Sequence, residues 1–436
     1  METLIMITQL MLGLSLLVFV HEFGHFAAAK FFGMRVPKFY IFFDAWDKKI
    51  WSKQIGDTEY GIGWLPLGGY VQITGMIDET QDASQLSEEP EPWEFRAKPA
   101  WQRFIVMIAG IVMNVITGIL IFAFYLSTFE QSYLPVSEIN KEGVYAYEAA
   151  QDIGIKTGDK IVAINGKMPE RFKEVRSTSV FLGGTITVDR AGEKIDITTP
   201  EGFYKRMREP FLSPMREEIS VAAVPAGRYA AEAGMKKGDK ILAINNGKIT
   251  RFVQLRDSLQ AHKGGSVNLL IERESGVVQL TSKVDTAGLL GFQPDMKYPY
   301  PKADYSLGDS FKYGMIEGYD LVMAQAISIG MIFTGKIKAT ESVASPIKIA
   351  QIYGGTWEWG HFWRLTGLLS FVLAFMNFLP IPALDGGHMV FLTYEIITGH
   401  RPSDAFLEKA QVVGFVLIMG LMVFAFGNDI YQTWLK

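Results

Sequence analysis

Val18-Phe19-Val20-His21-Glu22-Phe23-Gly24-His25 closes an apolar run that begins at Leu4, and the reading of this stretch decides the fold class. Residues i and i+4 share one face of a helix, so the imidazoles of His21 and His25 can reach a single metal ion. Glu22 then stands beside that ion, where it can take a proton from a bound water. H-E-x-x-H alone occurs by chance, but its setting raises its weight. A carboxylate at the centre of a bilayer costs roughly 2.5–3.5 kcal/mol on insertion scales, so its presence needs a reason. From Leu4 to His21 a helix rises about 25 Å, which carries the motif towards the far side of the hydrocarbon layer. The plain alternative is a polar helix end emerging into water.

Working outward, no Lys or Arg precedes the apolar run, and no small-residue cleavage site follows it. A retained transmembrane helix is expected there, not a signal peptide. Four segments have membrane character: Leu4–Phe32, Phe104–Leu126, Leu365–Leu379 and Val412–Phe426. Leu321–Phe333 is weaker and is read as lying at the interface or packing against the bundle. Lys30, Arg35, Lys38, Lys48 and Lys49 follow the first segment, and Arg96, Lys98 and Arg103 lead into the second. The loop between them is therefore read as cytoplasmic and the long insert after the second helix as outside. Within that loop, Thr58–Ile73 has strand formers around a Pro/Gly break and reads as a hairpin or small sheet. The acidic stretch Gln81–Pro92 reads as a mobile loop.

Composition agrees with membrane helices joined to a substantial aqueous part. Apolar residues make up 49% of the 436-residue chain, yet 20% is charged. The net charge of −4 comes without a basic cluster, which argues against a nucleic-acid partner. With no cysteine, thiolate metal sites are excluded and a metal must rest on His, Asp or Glu. A catalytic zinc wants a third protein ligand and an open position. Phe31 stands where the extended soluble motif would place another His. The best third ligand is Asp385, in Asn377-Phe378-Leu379-Pro380-Ile381-Pro382-Ala383-Leu384-Asp385-Gly386-Gly387-His388, where prolines break a helix and glycines permit close backbone approach. The first and third segments run in the same direction, so both motifs lie at their inner ends and can meet. His262, His361 and His400 read as solvated. His388 is near Asp385, either as a bystander or as a partner of the metal site.

The insert carries an internal repeat. Ala149-Ala150, Gly154 and Gly158-Asp159-Lys160-Ile161-Val162-Ala163-Ile164-Asn165-Gly166 recur as Ala230-Ala231, Gly234 and Gly238-Asp239-Lys240-Ile241-Leu242-Ala243-Ile244-Asn245-Asn246-Gly247. Each copy reads as a turn, a half-buried strand and a second turn of Asn-Gly type. A spacing of about eighty residues suits two small tandem domains, not a solenoid. Gly-Asp-x-Ile-x-x-Ile-Asn-Gly resembles bacterial PDZ domains, which bind extended peptides by adding a strand to a sheet edge. Spacers without a ligand are the alternative.

Taken together, H-E-x-x-H on the first helix, N-x-x-P-x-x-x-L-D-G-G near the third and PDZ-like copies between them resemble the site-2 protease family, in its bacterial regulator-of-sigma-E branch. The resemblance spans almost the whole chain. It implies an α-helical polytopic membrane protein of four transmembrane helices, with a membrane-associated β-hairpin or sheet and two inserted α+β PDZ domains. The divisions are 1–126, 130–208, 209–290 and 306–436. It implies Zn2+ held by His21, His25 and Asp385, Glu22 as catalytic base and Asn377 as a polar contact to substrate or transition state. It also implies that the hairpin residues Gly61, Ile62, Gly63, Trp64, Gly68, Gly69 and Tyr70 hold substrate as an added strand. The implied substrates are single-span membrane proteins, cut within the bilayer of a bacterial inner membrane as the second step of a relay. Anti-sigma factors and signal-peptide remnants are the substrate classes, and the PDZ domains gate access from outside. A tethered scaffold with a vestigial metal site and a metal transporter are the rival classes. The intact His21, Glu22, His25 and Asp385 argue against the first, and the lack of polar residues in the second and fourth helices argues against the second. Two departures from the family pattern, Ala109-Gly110-Ile111-Val112-Met113-Asn114 and Ala344-Ser345-Pro346, are expected to bear on local packing and not on the metal set.

Overall fold

The structure, a computed structural model, describes residues 2–65, 68–76, 89–129, 131–207, 209–215, 219–249, 252–295, 301–303, 305–335 and 345–434. Most of the acidic stretch read as a mobile loop lies outside them. The chain divides into two compact units, Met1–Glu130 with Asp304–Lys436, and Gln131–Ala303.

In the first unit, α1 spans Glu2–Phe31 without a proline to interrupt it, and α2 (Ala100–Thr128) starts directly after Pro99, where the missing N–H costs nothing. The later helices are α3 (Leu307–Phe333), α4 (Pro346–Tyr353), α5 (Trp359–Phe378), α6 (Asp385–Thr398) and α7 (Asp404–Trp434). Among the described residues four helices are long and apolar enough to cross a membrane: α1, α2, α3 and Asp404–Asp429 of α7. The number agrees with the sequence reading, but the third member differs. Leu321–Phe333 is the second half of a 27-residue helix whose first half carries Asp309, Lys312, Glu317 and Asp320. Those charges hide its length from a search for apolar runs. Leu365–Leu379 falls in α5, which has only 20 residues and includes His361, Arg364 and Asn377.

α5 runs parallel to α1, as expected. Gln9 donates to Gly354 O, just ahead of α5, and His21 lies beside Asn377 near its end. α2 runs the other way between them, with Ser370 of α5 donating to Asn114 O and Gly118 packed on the Phe371 ring. Small residues let these backbones approach closely. A Cβ at Gly24 would stand 2.5 Å from Ala109 O, so the fourth residue of the histidine motif has no room for a side chain. Ser345 caps α4 and is tied to the buried Asp429 of α7, which accounts for the serine in the second departure from the family pattern.

Between α1 and α2 lies a four-stranded sheet of β1 (Lys38–Ile41), β2 (Lys49–Ile55), β3 (Thr58–Gly63) and β4 (Tyr70–Gln72), in the order β2-β3-β1-β4. The expected sheet is present, but β3 and β4 do not form a hairpin. β1 enters between them, parallel to β3 and antiparallel to β4. The glycines explain this arrangement: a Cβ at Gly61 would lie 2.4 Å from the Tyr40 ring, and one at Gly63 would lie 2.2 Å from Phe43 O. The spacing that reads as a turn signal makes room for the aromatic residues of β1.

The second unit holds two α+β bodies with separate cores, one within 136–212 and one within 219–290. The repeat acquires a physical meaning here. Asp159 caps the turn at Lys156 N and takes a two-point bond from Arg190, while Asp239 does the same with Lys236 N and Arg273. Asn165 and Asn245 both adopt positive φ, and each accepts from the N–H of the next long strand, at Thr185 and Asn268.

Candidate metal centre

His21 and His25 face the same side of α1, and Asp385 opens α6, where a helix N-terminus favours a carboxylate. Asp385 thus lies on a new helix, not on the one that carries Asn377. α5 ends at Phe378, the chain turns through Pro380 and Pro382 with Ala383 at φ 77°, and a new helix begins. Gly386 and Gly387 close the turn, since a Cβ on either would fall within 2.5 Å of the carbonyls of Leu379 or Ile381.

Three donor atoms converge. His21 Nε2 and His25 Nε2 are 3.2 Å apart, and Asp385 Oδ2 lies 3.2 and 3.3 Å from them. Bonds of about 2.1 Å in a tetrahedron put ligand atoms about 3.3 Å apart, so the triangle has the size of three zinc ligands. Proton placement supports the same conclusion. His25 Nδ1 donates to Val106 O at 2.8 Å, which leaves Nε2 as a bare lone pair. Such a nitrogen cannot donate to Asp385, and the buried Oδ2 indeed lacks a hydrogen-bond donor despite its near neighbours. Lone pairs facing one another at this distance repel unless a cation sits among them. The residues fit zinc.

α2 supplies the wall that sequence reasoning missed. A Cβ at Gly110 would lie 2.4 Å from His25 Nε2 and 2.8 Å from His21 Cε1, so only glycine admits both rings. The Asn114 amide is 3.2 Å from His21 Nδ1, and its Oδ1 is buried without a donor. Turning that amide so that Oδ1 accepts from Nδ1–H satisfies both groups and frees His21 Nε2 for the metal. The Ala109–Asn114 stretch therefore touches the metal set directly, against the sequence expectation. Asn377 stands on the other side, its Nδ2 3.2 Å from His21 Nε2. His388 bonds Gln411 at 2.5 Å.

Glu22 faces the sheet. Gly69, next to β4, packs so tightly on α1 that a Cβ there would lie 2.7 Å from Val18 Cγ1 and 3.3 Å from Glu22 Cγ. Gly61 and Ile62 are paired on both sides, with β2 and β1, and Gly63 is paired with β2. Trp64 stacks on Trp46 and donates to Ala45 O. β4, by contrast, has β1 as its sole strand partner among the described residues.

The sequence pattern of peptidase family M50 matches residues 9–421. The chain belongs to peptidase family M50. It is similar over its full length to the regulator of sigma-E protease RseP of Escherichia coli (strain K12), 29% identical with 97% of this chain and 98% of the relative covered. The regulator of sigma E protease of Salmonella typhimurium (strain LT2) is 28% identical over 96% of both chains. A relative from Xylella fastidiosa (strain Temecula1), named for zinc metalloprotease activity, is 28% identical over 97% of both. This M50 peptidase is accordingly a multi-pass membrane zinc metalloprotease, and His21, His25 and Asp385 form a group that could hold its metal.

Proposed function

We propose that this M50 peptidase cuts single-span membrane proteins inside the bilayer, with His21, His25 and Asp385 as ligands and Glu22 as the base. The observation that carries the reading is the convergence of the three donor atoms, with Glu22 of the same helix packed on Gly69 next to β4, a strand paired on one side only among the described residues. Zinc bound there supplies Lewis acidity, activating a water and polarising the scissile carbonyl. Glu22 takes the proton from that water and delivers it to the departing amine nitrogen. The Asn377 amide donates to the oxygen on which charge develops. A helical substrate hides its carbonyls in i→i−4 bonds and must unwind first. β4, with Gly69 and Tyr70, offers the unwound segment a strand to pair with, while Gly61–Trp64 support it from behind.

The division into 1–126, 130–208, 209–290 and 306–436 follows, with the second and third parts as PDZ domains on the extracytoplasmic side of an inner membrane. They take extended peptides or exclude substrates whose outer domain is intact, which makes this the second cut of a relay. Anti-sigma-type proteins and signal-peptide remnants are the substrates this fits. The test is to incubate the purified protein with a single-span model substrate in liposomes and locate the cut by mass spectrometry. A cut within the apolar span is expected; a cut confined to the soluble flanks would remove the intramembrane reading.

A further inference from the structure

We infer that Asp44 is a positioning residue for substrate, holding β4 in place beside Glu22 through the Tyr70 hydroxyl. The inference rests on the reading of β4 as the strand that receives substrate.

Tyr70 opens β4, and its hydroxyl donates to Asp44 Oδ1 at 2.8 Å. The other carboxylate oxygen accepts from Lys38 Nζ at 3.0 Å. Lys38 begins β1 and is the register partner of Gln72, the last residue of β4. Asp44 follows β1 by three residues, so one carboxylate ties the start of β4 to both ends of β1, its one strand neighbour among the described residues. The Tyr70 ring is held in the same way. It stacks between Tyr40, at 5.5 Å and 12°, and Phe43, at 5.8 Å and 9°. Stacking fixes the tilt of a ring but lets it slide in its plane, and the hydroxyl bond removes the slide. Immediately before Tyr70, Gly69 is wedged against Val18, Glu22 and Tyr40 O. A displacement of Tyr70 therefore reaches the backbone in contact with Glu22.

Size makes the clamp necessary. β4 has three residues and one partner, too little ladder to hold an edge firmly on its own. The Asp44 side chain is 17% exposed and Tyr70 is buried, so water is a poor substitute for either end of the bond. Asp44 does not reach the reacting atoms; it acts through Tyr70.

The chain has no cysteine, which makes a cross-linking test clean. Gln72→Cys in the inactive Glu22→Gln background is oxidised with a single-span model substrate carrying one cysteine, moved position by position along its span. With Asp44 intact, cross-links should fall at one or two substrate positions; with Asp44→Ala, which leaves the Tyr70 hydroxyl no acceptor there, they should spread over several. In the active enzyme, Asp44→Ala and Tyr70→Phe should each lower kcat/KM for cleavage roughly ten- to a hundredfold with zinc content unchanged. The double variant should be no worse than either. Tyr70→Phe keeps the ring and its stack, so it reports on the bond even if Asp44→Ala folds poorly. An unchanged cross-link pattern with unchanged kcat/KM overturns the inference while leaving β4 as the receiving strand. Absence of any cross-link with Asp44 intact removes that reading, and the inference with it.

Discussion

Gly110 lies against the imidazole of His25, so close that a methyl group in its place would stand 2.4 Å from Nε2. The metal site is thus shaped by a residue with no chemistry of its own. α2 presses its backbone onto both histidines, and Gly24 returns the approach from α1.

Gly110→Ala should therefore act on metal binding before it acts on the fold. Overpacking of this kind costs about 1–3 kcal/mol, and here the flexible neighbour that yields is a ligand ring. Metal analysis of the purified variant should show substoichiometric zinc and a matching loss of cleavage. Full zinc with full activity would mean that α2 can step aside.

Asn114 orients His21 through Nδ1, so Asn114→Ala removes a partner and spares all three ligands. Losing such an outer partner weakens metal binding about 10–100-fold. A chelator competition should give that shift, with activity restored by excess zinc. An unshifted competition curve would show that Asn114 only fills space.

Gly69→Ala separates the sheet from the metal. The added methyl meets Val18, the Tyr40 carbonyl and Glu22, not the histidines, so zinc should stay bound while kcat falls at least tenfold. Loss of zinc in this variant would contradict the separation of the Gly69 contact from the histidines.

In the second unit, burial alone would raise the pKa of Asp239, but the Arg273 guanidinium and the Lys236 N–H outweigh it and hold the group below the usual carboxylate value. A folded pKa below the unfolded one stabilises above the unfolded value near 4 and loses that contribution as pH falls through the folded value. Gln131–Ala303 has its own cores and can be unfolded as a soluble unit. Arg273→Met should destabilise the second copy by ~2–4 kcal/mol at neutral pH and flatten its acid limb below about pH 4. Equal acid limbs in both proteins would contradict the pairing.

Much of this was legible from local pattern. The i,i+4 spacing announced the two histidines, the Pro-rich turn before Asp-Gly-Gly announced the carboxylate that joins them, and the repeated Gly-Asp and Asn-Gly turns announced two like bodies. What was not legible depends on which backbone approaches which. Gly110 and Asn114 look like an ordinary stretch of apolar helix until α2 is laid across α1. Gly61 and Gly63 look like turn residues until β1 enters beside them. The first half of α3 is polar enough to conceal a helix of 27 residues. That β4 has one strand neighbour among the described residues is a property of strand order, which alternation along one strand does not contain.

Wild type and Glu22→Gln should be compared for bound zinc and for cleavage of a single-span model substrate. Equal zinc in both proteins and cleavage by wild type alone are expected, because Glu22 as the base moves protons beside the metal without holding it. Cleavage by the Gln variant at the wild-type rate, or a wild-type protein that carries no zinc and still cuts, would contradict that mechanism.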